Sequence, residues 1–188
     1  NKLLGHQQIQ NDYICKKIDK TINPISPITL NKTYILARNS LGQIQYTSSK
    51  EIEEIYPKML NKDWWWLYGL YLADGHTYSN KIGFTIANTQ RDTIGAKVIQ
   101  LANNLGYSVN KDVPKNGCYQ LSINDSAIYR FLKNNHIANS VKNLPDWVLT
   151  IDPIYQKELL LGYIAGDGYI DSNHGQIRIN SINKDIIY

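Results

Sequence analysis

Two short stretches of the chain end in the same way. Leu67-Tyr68-Gly69-Leu70-Tyr71-Leu72-Ala73-Asp74-Gly75 aligns with Leu160-Leu161-Gly162-Tyr163-Ile164-Ala165-Gly166-Asp167-Gly168, putting Asp74 and Asp167 in register 93 residues apart. Each stretch reads as an apolar helix stopped by glycine. A helix C-terminus carries partial negative charge, so a carboxylate there is disfavoured, and a second one beside it adds repulsion. A bound divalent cation reverses both penalties, and Mg²⁺ suits a site of carboxylates and water. One Asp-Gly is an ordinary way to turn out of a helix. Two in register on apolar helices point instead to a metal. Small residues recur four apart, Gly69 with Ala73 and Gly162 with Gly166, so each helix has a shallow stripe that admits another backbone. If the two helices pack in parallel, both aspartates emerge at one end.

The elements around these stretches form a repeat. Asp63 can cap the first helix, which is apolar all round and should be buried. Lys81–Asn88 alternates, with Ile82, Phe84 and Ile86 on one face. Thr89 precedes a helix whose stripe is Ile94, Val98, Leu101, Ala102 and Leu105, ended by Gly106. Tyr107–Val113 and Cys118–Asn124 form a hairpin around Pro114-Lys115-Asn116-Gly117, and Asp125–His136 is a further helix. A linker with Lys142-Asn143-Leu144-Pro145 follows. Asp152 and Pro153 then cap and open the second buried helix, and Gln176–Ser181 alternates once more. The second copy of the repeat is cut short. The expected domains are an accessory segment at 1–62, the first repeat with its linker at 63–156, and the start of a second at 157–188.

The accessory segment is β-rich. Lys32–Arg38 and Gln43–Thr47 flank an Asn39-Ser40-Leu41-Gly42 turn, and Ser48 with Glu51 makes a capping-box pattern for a short helix stopped before Pro57. No chemistry is legible there.

These motifs resemble those of the LAGLIDADG homing endonucleases. The resemblance covers about residues 63–188 and implies an α+β fold of αββαββα repeats, pseudo-two-fold, with the second repeat truncated here. It implies an intracellular, monomeric enzyme whose motif helices form the interface between two halves. The implied activity is site-specific cutting of both strands of double-stranded DNA, leaving short 3′ overhangs. Carried over residue by residue, Asp74 and Asp167 are the Mg²⁺ ligands and catalytic carboxylates, with Gly75 and Gly168 as the motif ends. Gly69, Ala73, Gly162 and Gly166 are the helix-interface residues. Lys142-Asn143-Leu144-Pro145 is similar to the Lys-x-x-Pro segment of intein-associated members, where the lysine lies beside the scissile phosphate. Lys142 is therefore a candidate for stabilising transition-state charge, against the plainer reading of a solvated linker lysine.

In that family the sheet lies along DNA and its exposed face reads base edges. Alternation places Lys81, Thr85, Asn110, Gln120, Ser122 and Asn124 on the face in the first half, and Gln176, Arg178 and Asn180 in the second. Arg suits guanine, and Asn or Gln suits adenine. Each is otherwise an ordinary exposed strand residue. His76 and His174 follow the motifs at unequal offsets and read as surface histidines.

Composition agrees with a soluble globular chain and narrows the class. The 188 residues are 43% hydrophobic and 19% charged, enough to bury a core and too apolar for wholesale disorder. The longest apolar runs are too short to span a bilayer. Cys15 and Cys118 are far apart, with neither disulfide-framework nor zinc spacing. A net charge of +4 is too mild to mark a nucleic-acid protein by itself. Twenty Asn residues nonetheless supply uncharged hydrogen-bonding groups. Met59 is the sole methionine and the chain opens Asn1-Lys2-Leu3, which reads as a piece of something longer. Two other readings stay open: a maturase or regulator that binds nucleic acid without cutting it, and the endonuclease part of an intein. For the latter, neither a nucleophile at residue 1 nor a terminal His-Asn is present.

Overall fold

The computed structural model describes residues 36–38, 44–46, 55–111, 117–134, 136–137, 141–142, 144, 148, 151–171 and 173–179. In the accessory segment, β1 (Leu36–Arg38) pairs antiparallel with β2 (Ile44–Tyr46), so the hairpin is present. Its turn and the capping-box residues lie outside the described residues. Residues 55–59 are helical, and Pro57 lies among them rather than after them. Proline's fixed φ is compatible with helix, and Ile55 and Met59 anchor the turn in the core.

The first motif helix, α1 (Lys62–Asp74), runs through the core with every residue from Trp64 to Leu72 buried. Its cap is Asn61, whose side chain accepts from Asp63 N at 3.0 Å. Asp63 instead sits in the first turn and accepts from Asn104 Nδ2 at 2.9 Å. Either residue type makes a good N-cap, and the earlier one prevails. The tryptophans pack by their edges. Trp64 lies 5.0 Å from Trp65 and 5.7 Å from Phe131, and Trp65 stacks on Tyr155. Trp65 Nε1 donates to Met59 O at 2.7 Å, so this ring brings its polar atom into the core already satisfied.

α1 passes into β3 (Gly75–Tyr78) without a loop. Gly75 has φ −72° and ψ 160°, so it is extended and not the left-handed cap its position suggests. The glycine is needed for room: a Cβ there would lie 2.5 Å from Tyr71 Cα. Ser79 and Asn80, at φ 43° and 62°, make a tight turn into β4 (Lys81–Ala87). Asn88–Gln90 and the wider turn Arg91–Gly95 lead into α2 (Ala96–Asn104). Gly106, at φ +78°, does end that helix in the left-handed region, with Tyr107 N donating to Ala102 O.

β5 (Val109–Lys111) and β6 (Cys118–Asn124) complete a four-stranded antiparallel sheet in the order β3-β4-β6-β5. Ile82, Phe84 and Ile86 of β4 and Tyr119, Leu121 and Ile123 of β6 face the core. α3 (Ser126–Asn134) starts where Asp125 Oδ1 accepts from Ile128 N at 2.8 Å, and its Ile128, Phe131 and Leu132 are buried. His136 belongs to β7 (His136–Ile137), paired with β8 (Val141–Lys142), and not to the helix expected to reach it.

The second motif helix, α4 (Pro153–Asp167), is capped by Asp152, which accepts from Ile154 N. It is less buried than expected: Gly162 and Tyr163 are enclosed, while Leu160 and Leu161 are exposed. α1 is wrapped by sheet, α2 and α4, with Phe131 of α3 against its Trp64 and Tyr68, whereas α4 meets α1 and then the two-stranded sheet of β9 (Gly168–Asp171) and β10 (Gln176–Ile179).

Candidate metal centre and nucleic-acid face

The two motif helices touch backbone to backbone. A Cβ at Gly69 would collide with Leu159 O and lie 2.8 Å from Tyr163 N. A Cβ at Gly162 would collide with Trp66 O and lie 3.0 Å from Leu70 N. The contact is reciprocal, because Leu159 and Tyr163 stand in the second motif where Trp66 and Leu70 stand in the first. One turn further on, a Cβ at Gly166 would lie 2.5 Å from Ala73 Cβ and 3.3 Å from Asp74 Oδ2. The contacts advance together along both helices, which therefore run in parallel. Both aspartates leave at the same end.

That arrangement sets the electrostatics. Partial burial pushes the Asp74 carboxyl above the usual carboxylate range, Asp167 beside it pushes further, and Lys142 pulls it back. Asp74 remains open to solvent on its outer side. Lys142 comes from β8 and donates from Nζ to Tyr71 O at 2.7 Å, Leu72 O at 3.1 Å and Ala73 O at 3.0 Å. Burial lowers its ammonium to about 8, while Asp74 and Asp167 oppose the fall. His76, two residues past Asp74, stacks on Tyr78 with centroids 5.4 Å apart, and burial and Lys142 both push its pKa down. It is half-buried rather than a plain surface histidine. His174 is exposed and meets Asp171 Oδ2 at 2.9 Å in the β9–β10 turn.

The donor set suits a hard cation. Asp74 and Asp167 present carboxylate oxygens at the negative ends of two helices, which lack a basic residue in their last turns. Among the described residues no cluster of three His, Cys, Asp or Glu side chains forms. A cation here would complete its shell with water and substrate oxygens, as Mg²⁺ does readily. Gly75 and Gly168 each donate N–H back into the helix, to Tyr71 O and Ile164 O, and close the motifs as strand starts.

The sheet has one covered face and one face turned away from the core. Register aligns Lys81 with Asn124, Thr85 with Gln120, and Gly83 with Ser122 and Asn110 on the outer one. Thr85, Asn110, Gln120 and Asn124 are exposed, and Lys81 is half-exposed. Ser122 is the exception, at 2% exposure. It lies mid-sheet opposite Gly83, over which His76 and Tyr78 fold, and its small side chain does not clear its neighbours. Its expected role as a base reader is withdrawn. In the second half Gln176 and Arg178 are exposed on one face, opposite Asp171 and Tyr169, and Arg178 Nη2 donates to Gln176 Oε1 at 3.2 Å. Asn180 lies outside the described residues. The capping by Lys142 and the His76–Tyr78 pair were missed in the sequence. The lysine lies some 70 residues from the carbonyls it caps, but the glycine that admits the rings, Gly83, interrupts the alternation of β4 and was a usable signal.

No family model matches the chain. A curated relative, DNA-directed RNA polymerase subunit Rpo1C of Methanocaldococcus jannaschii, is 27% identical over 131 residues, covering 68% of this chain and 15% of that protein. The chain thus spans about a seventh of the relative's length. Among solved structures, I-DmoI in complex with DNA and Mn aligns at 16% identity and a TM-score of 0.47, over 67% of this chain and 72% of that one. An I-DmoI variant with its target DNA and Mg aligns at 16% identity and 0.48, over 69% and 74%. Mesophilic variants of the homing endonuclease I-DmoI give 16% and 0.48, over 69% and 73%. These alignments cover about two thirds of the chain, whose own described elements are α-helices and antiparallel strands.

Proposed function

We propose that this chain is a site-specific endonuclease of double-stranded DNA, with one Mg²⁺-binding carboxylate contributed by each motif helix. The observation that carries the proposal is the parallel, glycine-mediated packing of α1 and α4, which delivers Asp74 and Asp167 to one end against their mutual repulsion. Asp74 and Asp167 would hold the ion, which when bound supplies charge neutralisation at a phosphate and an activated water. The protein's own part is to hold both carboxylates adjacent, and to lay the duplex across the sheet. Lys81, Thr85, Asn110, Gln120 and Asn124, with Gln176 and Arg178 of the second half, are the proposed contacts to phosphates and base edges. The full-length protein is proposed to be a monomer with internal pseudo-two-fold symmetry, and 1–62, 63–156 and 157–188 its accessory segment and two repeats.

The test is digestion of a randomised plasmid library in Mg²⁺, with sequencing of the ends. One long recognition site with short 3′ overhangs is expected. Asp74→Asn and Asp167→Asn should each abolish cutting while leaving binding in place. Unchanged cutting by both variants rejects the metal assignment. Binding without cutting by the unaltered chain favours the maturase or regulator reading.

A second reading concerns context. The shared stretch makes up 15% of a polymerase subunit's length, which favours a domain carried inside a host polypeptide as the endonuclease part of an intein.

A further inference from the structure

An ammonium group has three N–H donors and no acceptor. Lys142 places its Nζ within hydrogen-bond distance of three successive carbonyls, Tyr71 O, Leu72 O and Ala73 O. These belong to the last turn of α1, where carbonyls run out of helical donors and negative charge accumulates, although Tyr71 O also accepts from Gly75 N. The turn has no basic residue of its own. It is also the turn from which Asp74 emerges beside Gly166, and it runs straight into β3 without a loop. The cap is therefore supplied from β8, in a different part of the fold.

We propose that Lys142 is a positioning residue: its ammonium caps the C-terminal turn of α1 and so fixes Asp74 next to Asp167, rather than touching the scissile phosphate. With three donors directed at three carbonyls, a phosphate contact would require it to release at least one of them. The inference rests on the reading of Asp74 and Asp167 as metal ligands, and it changes the part given to the lysine by family resemblance.

Two measurements on the whole chain test it without any DNA. Backbone amide exchange followed by NMR reads the cap. In Lys142→Met, the amides of Ala73, Asp74 and Gly75 should exchange about 10-fold faster, while those at Trp66–Leu70 keep their rates. Lys142→Arg should behave like Lys142→Met, because a planar guanidinium cannot converge on three consecutive carbonyls, whereas it readily replaces lysine at a phosphate. Mn²⁺ titration reads the positioning. The concentration that half-broadens the Asp74 and Asp167 amides should rise several-fold in both variants. Unchanged exchange at the end of α1 overturns the cap. Faster exchange with an unchanged or lower Mn²⁺ midpoint overturns the positioning role, a lower value being what simple charge repulsion of the ion produces. If the unaltered chain shows no broadening at either aspartate, the metal reading has failed, and the exchange result still decides the cap on its own.

Discussion

Asp74 is held in a position that costs the apo protein stability. Its carboxyl is pushed up by partial burial and by Asp167, with Lys142 only partly offsetting them. An acid whose folded pKa exceeds its unfolded one binds more protons when folded, so stability falls as pH rises through that interval. Above the folded pKa the full penalty is present, and below the unfolded value it vanishes. Asp74→Asn should therefore raise the melting temperature at neutral pH without metal. The gain should be no more than about 1 kcal/mol, because water screens the open side. It should disappear as the pH is lowered below the ordinary aspartate range. Thermal melts across that range check this, and a variant less stable than wild type at pH 7 contradicts it. The aspartates themselves were legible because the motif occurs twice and its register is unambiguous. The environment of the lysine was not, since nothing local to Val141-Lys142 records which carbonyls it reaches.

At the scale of elements, the α1–α4 contact is where sequence and structure connect most directly. Small residues four apart imply a shallow stripe, and at Gly69 and Gly162 that stripe meets backbone, not side chain. Backbone cannot swing aside as a rotamer can. Gly69→Leu or Gly162→Leu should destabilise the protein by at least the ~1–3 kcal/mol typical of overpacking, measured by urea unfolding. An unchanged midpoint for either would remove that glycine from the crossing. Other elements show what periodicity leaves out. β3 is four residues long, too short to show alternation, and its start at Gly75 reads locally as a helix stop. Alternation along β6 assigns Ser122 to the outer face correctly but says nothing of what lies over it. The burial of α4 was overestimated for a related reason. An apolar helix declares that it can be buried, and the partners that do so lie elsewhere in the chain.

In the molecule as a whole, one helix pair is joined to one sheet surface. α1 is the common member: its aromatic residues fill the core, its glycine meets α4, its last turn holds Asp74, and its end becomes the edge strand of the sheet. The outer face of that sheet then begins at the carboxylate pair. Among the described residues no helix is long and apolar enough to cross a membrane. On the proposed reading, Asp74 and Asp167 bind one cation jointly. Paramagnetic broadening of backbone amides, as Mn²⁺ is added to the chain, reads that joint binding. Residues 73–75 and 166–168 should broaden together at one midpoint, and Asp74→Asn or Asp167→Asn should abolish the broadening at both ends. Broadening at only one helix end, or at both ends but surviving in a single variant at the unaltered aspartate, would show two independent carboxylates and contradict it.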